Sequence, residues 1–465
     1  MADRLKVLMY YLYYKYRRPF ADRQALEKWQ ERKLRKHLEY VAEHSRLYKG
    51  KTKQEDYPII DKAFMMEHFD ALNTVGIGRE EAETFAVQAE RERDFAPKLK
   101  GVTVGLSSGT SGRQGIFLVS DGEKNRWAGY ILAKFLPGSI LDSLDIAFFM
   151  RADSNLYQAV SSKNIRFHFF DIYRDMAEHK ARLEETKPVI LAGQPSLLLM
   201  LAKEMERGTL GITPRIVISI AEVLEREDEA YLKRAFRLEV IHQVYQCTEG
   251  CLASTCACGT LHLNEDIVRI EREYLDGNRF IPIVTDFERK AQPIIRYRLN
   301  DILVEKKSPC GCGSPFLALE KIEGREDDMF SFLDGKGQEK MVFPDFIRRC
   351  VLFAGDRAEE GTVGKPVERA MEEPMKKTEE ASLKRPAEKA EGERGRNLTE
   401  YRIVQKQDRS IIVYADFDAK EKKQVLAEFG QLAKDRDFVL PEIRFAPYFR
   451  EKGKKMKRVE RASEG

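Results

Sequence analysis

Apolar side chains recur along this chain with two periods. Between residues 21 and about 48, Leu26, Trp29, Leu34, Leu38 and Val41 fall at helical spacing before the polar stretch HSRLYKG, which predicts an amphipathic helix ahead of the main fold. From Val102 onward, short apolar runs alternate with helical stretches: IAFFM (146–150), VILAG (189–193), RIVISI (215–220) and EVIHQVY (239–245). These runs are strand-length and end at glycine or polar turns, so an α/β sheet is expected. From His262 to about Ile322 the pattern becomes β-rich, with DIVRIERE, RFIPIVTDF and PIIRYRL as strands and Gly277-Asn278 as a hairpin turn. Near the start, LKVLMYYLYYKYRR (5–18) mixes aliphatics and tyrosines with Lys15, Arg17 and Arg18. Such a helix either covers its domain's own core, the expected role, or lies at a bilayer interface.

The C-terminal part changes character. From about residue 355 to 396, roughly half the side chains are charged and aromatics are missing, the composition of a disordered insertion. YRIVQKQDRSIIVYADF (401–417) then resumes as a strand pair. A chain of 465 residues exceeds one ordinary core, and two domains are expected: 1–324, and 325–465 carrying the insertion. Basic and acidic side chains number 80 and 76, a net charge of +4 that argues against a dedicated nucleic-acid binder. With no signal-peptide pattern and no apolar run near the ~20 residues of a membrane span, a cytoplasmic location is expected.

Six of the seven cysteines lie between Cys247 and Cys312, a clustering that suggests a metal rather than a disulfide framework. Cys256, His262, Cys310 and Cys312 compose a Cys3His set suited to a structural zinc, with Cys247, Cys251 and Cys258 as competing thiols. Buried unliganded cysteines are the alternative.

The stretch GLSSGTSGRQG (105–115) is an anion cradle: glycines let backbone N–H groups turn inward, hydroxyls add donors and Arg113 adds charge. It lacks the Gly-Lys-Ser/Thr ending of a Walker loop, and taken alone such a loop is more often a surface connection. Downstream, in order, come SIAEVLE (219–225), YQCTEG (245–250), YRLND (297–301) and GREDDM (324–329). Together the five strings resemble the ordered signature of the adenylate-forming superfamily of acyl- and aryl-CoA synthetases. The branch they look most like is the phenylacetate-CoA ligase type, with the related synthetases that adenylylate a deazaflavin coenzyme. The resemblance runs from about residue 40 to the C-terminus, apart from the insertion. It implies a large N-terminal adenylate-forming α/β domain with mixed sheets and a β-rich section, followed by a small α+β C-terminal lid domain.

By that resemblance, Ser107, Ser108, Gly109, Thr110, Ser111 and Gly112 clasp the β- and γ-phosphates of ATP, and Arg113 stands where lysine is common. Thr248 supplies a phosphate-contacting hydroxyl, Glu249 a Mg2+ ligand, and Tyr245 the aromatic on adenine. Ala221 and Glu222 line the adenine pocket, with Ile220 where a smaller residue is usual. Asp301 accepts the ribose hydroxyls, beside Asn300 in place of glycine, and Arg325 lies near the ribose and the inter-domain hinge. The tail EKGKKMKRVE (451–460) offers the catalytic lysine in two registers: Gly453 as anchor selects Lys454, whereas Arg458-Val459 selects Lys455, the preferred one. Cys247 holds a variable position of its motif and is not expected to be a nucleophile. Residues 127–135, 192–196 and His242 are expected to line the acid pocket.

The implied activity is ATP-dependent activation of a carboxylic acid, aromatic or otherwise planar, as an acyl-adenylate, followed by transfer to CoA. An adenylyltransferase placing AMP on a cofactor hydroxyl, or a nucleotide-binding protein without turnover, are the alternatives. Small molecules are the expected partners, with a dimer left open.

Overall fold

The computed structural model describes residues 2–107, 115–136, 138–150, 161, 163–356, 400–450 and 455–462. Ser108 to Gly112, Arg113, Lys454 and nearly all of the charged insertion lie outside them. The chain divides into two compact units, Met1–Met329 with Arg450–Lys457, and Phe330–Phe449 with Arg458–Ala462.

The larger unit opens with helices α1 (Ala2–Tyr16) and α2 (Arg23–His44). Helix α2 starts where Asp22 accepts the Ala25 N–H at 2.7 Å, a cap of about 1 kcal/mol, and it buries Leu26, Leu34, Leu38 and Val41. Helices α3 (Lys62–Glu67), α4 (Phe69–Leu72) and α5 (Arg79–Glu92) follow. The antiparallel pair β1 (Val102–Leu106) and β2 (Ile116–Ser120) leads into α6 (Asp121–Phe135). Ser120 and Glu123 form a capping box at the start of α6, and Glu123 also accepts the N–H groups of Lys290 and Ala291 at 2.6 and 3.0 Å. Helix α1 lies along α6, and Gly129 makes this approach possible: a Cβ there would sit 2.5 Å from Tyr10 Cβ and 2.8 Å from the Val7 carbonyl oxygen.

Strands β3 (Leu144–Met150), β4 (Ile165–Asp171), β5 (Ile190–Gly193), β6 (Ile216–Ile220) and β7 (His242–Cys247) alternate with α7 (Met176–Thr186), α8 (Pro195–Glu206) and α9 (Arg226–Phe236). Every pairing among these five strands is parallel. The chain then continues as β8 (Gly250–Thr255), β9 (Leu261–Leu263), β10 (Val268–Asp276), β11 (Arg279–Asp286), β12 (Tyr297–Arg298), β13 (Asp301–Glu305) and β14 (Ala318–Arg325). All twelve strands form one sheet in the order β10-β11-β13-β14-β9-β8-β7-β6-β5-β3-β4, with β12 on β11. From β7 to β8 the pairing switches to antiparallel and stays so.

The expected hairpin at Gly277-Asn278 is present, joining Asp276 to Arg279. Two expected strands are shorter than their apolar runs. PIIRYRL pairs only at Tyr297–Arg298, because Arg296 adopts φ 49 and its N–H turns to Thr285 Oγ1 at 3.0 Å. EVIHQVY enters the sheet only at His242.

In the smaller unit, β15 (Phe330–Leu333) and β16 (Glu339–Val342) pair antiparallel, followed by α10 (Pro344–Asp356). The strands β17 (Arg402–Gln405) and β18 (Ile411–Tyr414) form the expected antiparallel pair. With α11 (Ala419–Asp435), β19 (Ile443–Ala446) and β20 (Val459–Arg461) they make a four-stranded sheet of order β19-β18-β17-β20. Phe330, Phe332, Tyr401, Ile403 and Phe429 fill a core of its own.

Candidate functional site

The sheet changes from parallel to antiparallel at β7, and the motif residues gather there. Thr248 and Glu249 are the two-residue turn between β7 and β8, closed by the Cys247–Gly250 pair. Strand β13 begins at Asp301, opposite Arg325 on β14. Tyr245 on β7 donates its phenol O–H to Asp301 Oδ2 at 2.5 Å, and Arg325 Nε lies 3.4 Å from Asp301 Oδ1. A carboxylate is thus held between a phenol and a guanidinium from strands far apart in sequence.

Burial sets the electrostatics. It raises the Asp301 carboxyl, with Glu249 adding to the rise, against the opposing pull of Arg325, the Tyr245 hydrogen bond and the Lys455 ammonium. Burial, then the negative charge of Asp301, pushes the Tyr245 phenol far up, which keeps it a donor. The Cys247 thiol is also driven far up, by burial and then by Glu249 and Asp301, so it is a poor source of thiolate.

Thr248 Oγ1 donates to Glu249 Oε2 at 2.8 Å, and Arg289 Nη1 grips the Thr248 carbonyl at 2.7 Å. Burial, then the neighbouring Glu249, raises the Tyr297 phenol. Thr248 and Glu249 line a cleft with Ser107, Gly115 and Lys62. Ser107 and Gly115 clamp the two ends of the cradle: the Ser107 N–H meets the Gly115 carbonyl at 2.7 Å, and the Gly115 N–H meets Ser107 Oγ at 2.8 Å. A Cβ on Gly115 would lie 2.9 Å from Lys62 Cε, so the glycine admits the lysine stem. The Lys62 ammonium is lowered by burial, Glu249 partly compensating.

Lys62 escaped the motif analysis. It sits at the first turn of α3, behind the N-cap Asp61, and nothing in its local sequence separates it from other surface lysines.

Behind β6, Ala221 adopts φ 67 and the Glu222 N–H returns to the Ile220 carbonyl at 2.8 Å, a tight three-residue turn. A non-glycine residue there stores roughly 1–3 kcal/mol, and such strain clusters at ligand sites. The Glu222 carboxylate accepts the Ser196 N–H at 3.2 Å, Ser196 Oγ at 3.1 Å and the Met456 N–H at 2.9 Å. Burial raises its carboxyl, and these bonds offset part of the rise. The tail is fastened twice more, by Arg450 Nη2 to Ser196 Oγ at 2.9 Å and by Lys457 Nζ to Asp328 Oδ1 at 2.9 Å. Lys455 lies between these anchors. No motif marks this clamp, because Arg450 meets Ser196, and Lys457 meets Asp328, only through the fold.

Side chains of β7 and α6 also meet. Trp127 Nε1 donates to Gln246 Oε1 at 2.9 Å, and the Phe135 and His242 rings meet edge to face at 5.8 Å. Burial lowers the His242 imidazole, against the pull of a bond with the Thr255 backbone, and its Nδ1 is enclosed without a hydrogen-bond partner among the described residues.

The cysteine cluster sits where β9 meets β14. The ligand atoms of Cys256, His262, Cys310 and Cys312 all lie within 4.8 Å of one another. Cys256 Sγ is 3.7 Å from Cys310 Sγ, and Cys312 Sγ is 3.5 Å from His262 Nε2. His262 Nδ1 lies 3.0 Å from the Phe316 carbonyl, which assigns its proton to Nδ1 and leaves Nε2 as a ligand. Two similar turns present the thiols. In CACG the Gly259 N–H returns to the Cys256 carbonyl at 3.0 Å, in CGCG the Gly313 N–H returns to that of Cys310 at 3.2 Å, and both glycines have positive φ. Desolvation works against the Cys310 thiolate, yet bonds with Thr260, Cys312 and His262 bring its thiol down to about 6. Cys258, at the place in the first turn that Cys312 holds in the second, is exposed, and its thiol is raised by desolvation and by Cys256 and Cys310.

No protein-family profile and no curated protein matches the chain in sequence. Solved structures do match in fold. 2-Hydroxyisobutyryl-CoA ligase, in the postadenylation state with 2-HIB-AMP, aligns at a TM-score of 0.62 with 15% identity, over 96% of this chain and 91% of that one. The same ligase in an open conformation with 2-HIB-AMP and CoA aligns at 0.55 and 18% identity, over 72% and 82% of the two chains. The chain has the fold of adenylate-forming CoA ligases, the superfamily its ordered motifs resemble.

Proposed function

We propose that this protein is an ATP-dependent ligase that activates a carboxylic acid as an acyl-adenylate and passes the acyl group to CoA. The observation that carries this reading is the meeting of the Tyr245–Asp301–Arg325 group with the Thr248–Glu249 turn at the sheet changeover. Open sheets bind ligands where strand connectivity changes.

The acid's carboxylate oxygen attacks the α-phosphorus, a new O–P bond forms, and the bond to pyrophosphate breaks. Negative charge must be stabilised on both sides of that phosphorus. Asp301 takes the ribose hydroxyls, and Arg325 and Tyr245 hold its carboxylate in place. Tyr245 and the strained turn at Ala221 form the adenine side, with Glu222 behind them. Ser107 and Lys62, with Ser108, Gly109, Thr110, Ser111, Gly112 and Arg113 of the cradle, receive the β- and γ-phosphates. The Thr248 hydroxyl donates to the phosphate chain. Glu249 is the residue that would hold Mg2+, which neutralises phosphate charge when bound. Lys455 brings an ammonium between the acid and the α-phosphate, with Lys454 as the competing register. Trp127, Phe135 and His242 wall the acid pocket, and this aromatic lining suits a planar acid. The larger unit carries these binding groups, Arg325 among them, and the tail segment that bears Lys455 groups with it, although the sequence predicts 325–465 as the small domain.

Cys256, His262, Cys310 and Cys312 would hold a structural zinc, since three thiols and an oriented imidazole make a tetrahedral donor set. Asp301 lies in sequence between the two ligand pairs, so the ion would brace the strands that carry it. Dependence on ATP and CoA is consistent with a cytoplasmic location.

The test is exchange of labelled pyrophosphate into ATP across a panel of aliphatic and aromatic acids, followed by product analysis with CoA. Acid-dependent exchange with AMP release and thioester formation is expected. No exchange with any acid would overturn the reading, and AMP retained in the product would replace CoA transfer with adenylyl transfer.

A further inference from the structure

Helix α1 has two apolar sides. Val7 and Tyr11 point into the core and the helix packs along α6, the expected covering role. On the opposite side Leu5, Met9 and Tyr16 are 60%, 61% and 69% exposed, and Leu12 and Tyr13 are exposed beside them. At 3.6 residues per turn these five side chains fall within an arc of about 100°, one continuous outward stripe. Exposed cations border it. Lys6 follows Tyr13 around the helix on one edge, Arg4 lies beyond Leu12 on the other with Lys15, exposed although its Nζ also reaches the Ala133 carbonyl of α6 at 3.5 Å, and Arg18 stands past the C-terminal end. Arg17 turns inward instead, to Asp266 at 2.8 Å. The helix's one acidic side chain, Asp3, already accepts from Asn125 at 2.8 Å and lies 4.0 Å from Lys6.

We propose that this outward face of α1 docks on an anionic phospholipid surface, with Leu5, Met9, Leu12, Tyr13 and Tyr16 immersed among the headgroups. Arg4, Lys6, Lys15 and Arg18 reach phosphates along its edges. Among the described residues no helix is long and apolar enough to cross a membrane, so the helix lies on the surface rather than through it. Charge selects the occupant. A two-fold contact between copies would set this face against itself, bringing four exposed cations from each chain together with no uncommitted acid on the helix to answer them. An anionic bilayer answers all four, and each contributes about fivefold in affinity near such a surface. This inference is independent of the proposed reaction.

Co-sedimentation of the full chain with vesicles tests it. Phosphatidylcholine vesicles containing phosphatidylglycerol should carry the protein down at least about tenfold more strongly than phosphatidylcholine alone, the difference shrinking as salt is raised. Leu5→Gln/Met9→Gln should weaken sedimentation by about tenfold or more at an unchanged melting temperature. The triple variant Lys6→Glu/Lys15→Glu/Arg18→Glu should weaken it by on the order of a hundredfold, and it decides the matter should the apolar variant misfold. Three results would overturn the proposal. They are no vesicle binding, binding indifferent to anionic lipid, and a dimer in light scattering that Leu5→Gln/Met9→Gln abolishes, which would give the face to a second copy.

Discussion

The strand-borne side of the candidate site and its α6 side are built in contrasting ways. Along β7, β13 and β14, polar groups are tied to one another: Tyr245 to Asp301, Asp301 to Arg325, Thr248 to Glu249, with Arg289 holding the turn from behind. Along α6, Trp127 is bonded to Gln246, but Phe135 and His242 meet through ring packing and, among the described residues, His242 Nδ1 has no partner. A tied network presents fixed charges and donors to whatever binds and loses much when one member goes. An apolar wall with one unpartnered nitrogen discriminates by shape and by whether the ligand offers that nitrogen a bond. The first kind of surface fits the part of a reaction that never varies, the second the part that selects a substrate. Variants on the strand side should therefore depress exchange with every acid alike, while those on the α6 side should reorder the acids.

The largest effects are expected on the strand side. Asp301→Ala and Glu249→Gln should each lower pyrophosphate exchange by about 10²- to 10³-fold for all acids, as loss of a preorganised polar group does in other active sites. Both should stay folded: Glu249→Gln should melt near the parent, and Asp301→Ala, which takes the shared acceptor from Tyr245 and Arg325, modestly below it. Full exchange in either variant would remove these residues from the nucleotide's path.

Lys455→Ala should come next, slowing acyl-adenylate formation by about 10²-fold or more with little change in ATP affinity, the pattern of a group that acts mainly in the transition state. Lys454→Ala should be nearly silent, and the reverse ranking would move the register by one residue. Lys62→Ala sharpens the comparison differently. A phosphate contact made equally in ground and transition states raises KM for ATP, here by about tenfold, and leaves kcat in place.

How much of this was legible in the sequence follows from how each contact is made. Tyr245, Thr248, Glu249, Asp301 and Arg325 sit in short strings whose order survives in a one-dimensional reading, and the fold brings Tyr245 to Asp301 across 56 positions. The parallel strands were legible because both faces are covered and their runs are apolar throughout. PIIRYRL reads as a full strand because periodicity carries no sign of the left-handed Arg296 that interrupts it. Lys62 and the Arg450–Ser196–Glu222–Met456 clamp were not legible, since lysine, arginine and serine are common and their partners are set only by tertiary structure. The cysteine cluster stood out for the opposite reason: cysteine and histidine are scarce here, so their concentration carries information.

That cluster gives a prediction of stability rather than rate. Purified protein should carry about one zinc per chain, and Cys310→Ser should lower both metal content and melting temperature, because binding energy at such a site is also folding energy. Cys258→Ser should leave both nearly unchanged, since Cys258 is exposed and stands outside the four-atom group. Metal-free protein with an unchanged melting temperature would show the thiols to be bystanders.

The smallest effect, and the most direct test of the contrast, is expected at His242. Its Nδ1 is enclosed and unpartnered, and burial lowers the imidazole, so near neutral pH the ring is uncharged. An acid bearing a hydroxyl or amino group near this nitrogen would gain a hydrogen bond that its unsubstituted analogue cannot make. His242→Ala should therefore leave exchange with the plain acid within about threefold of the parent and cut the preference for the substituted one by about tenfold, the worth of one such bond. Measuring kcat/KM for matched acid pairs separates the outcomes. A uniform loss for both members of every pair would place His242 with Asp301 among the invariant groups and dissolve the division between the two sides.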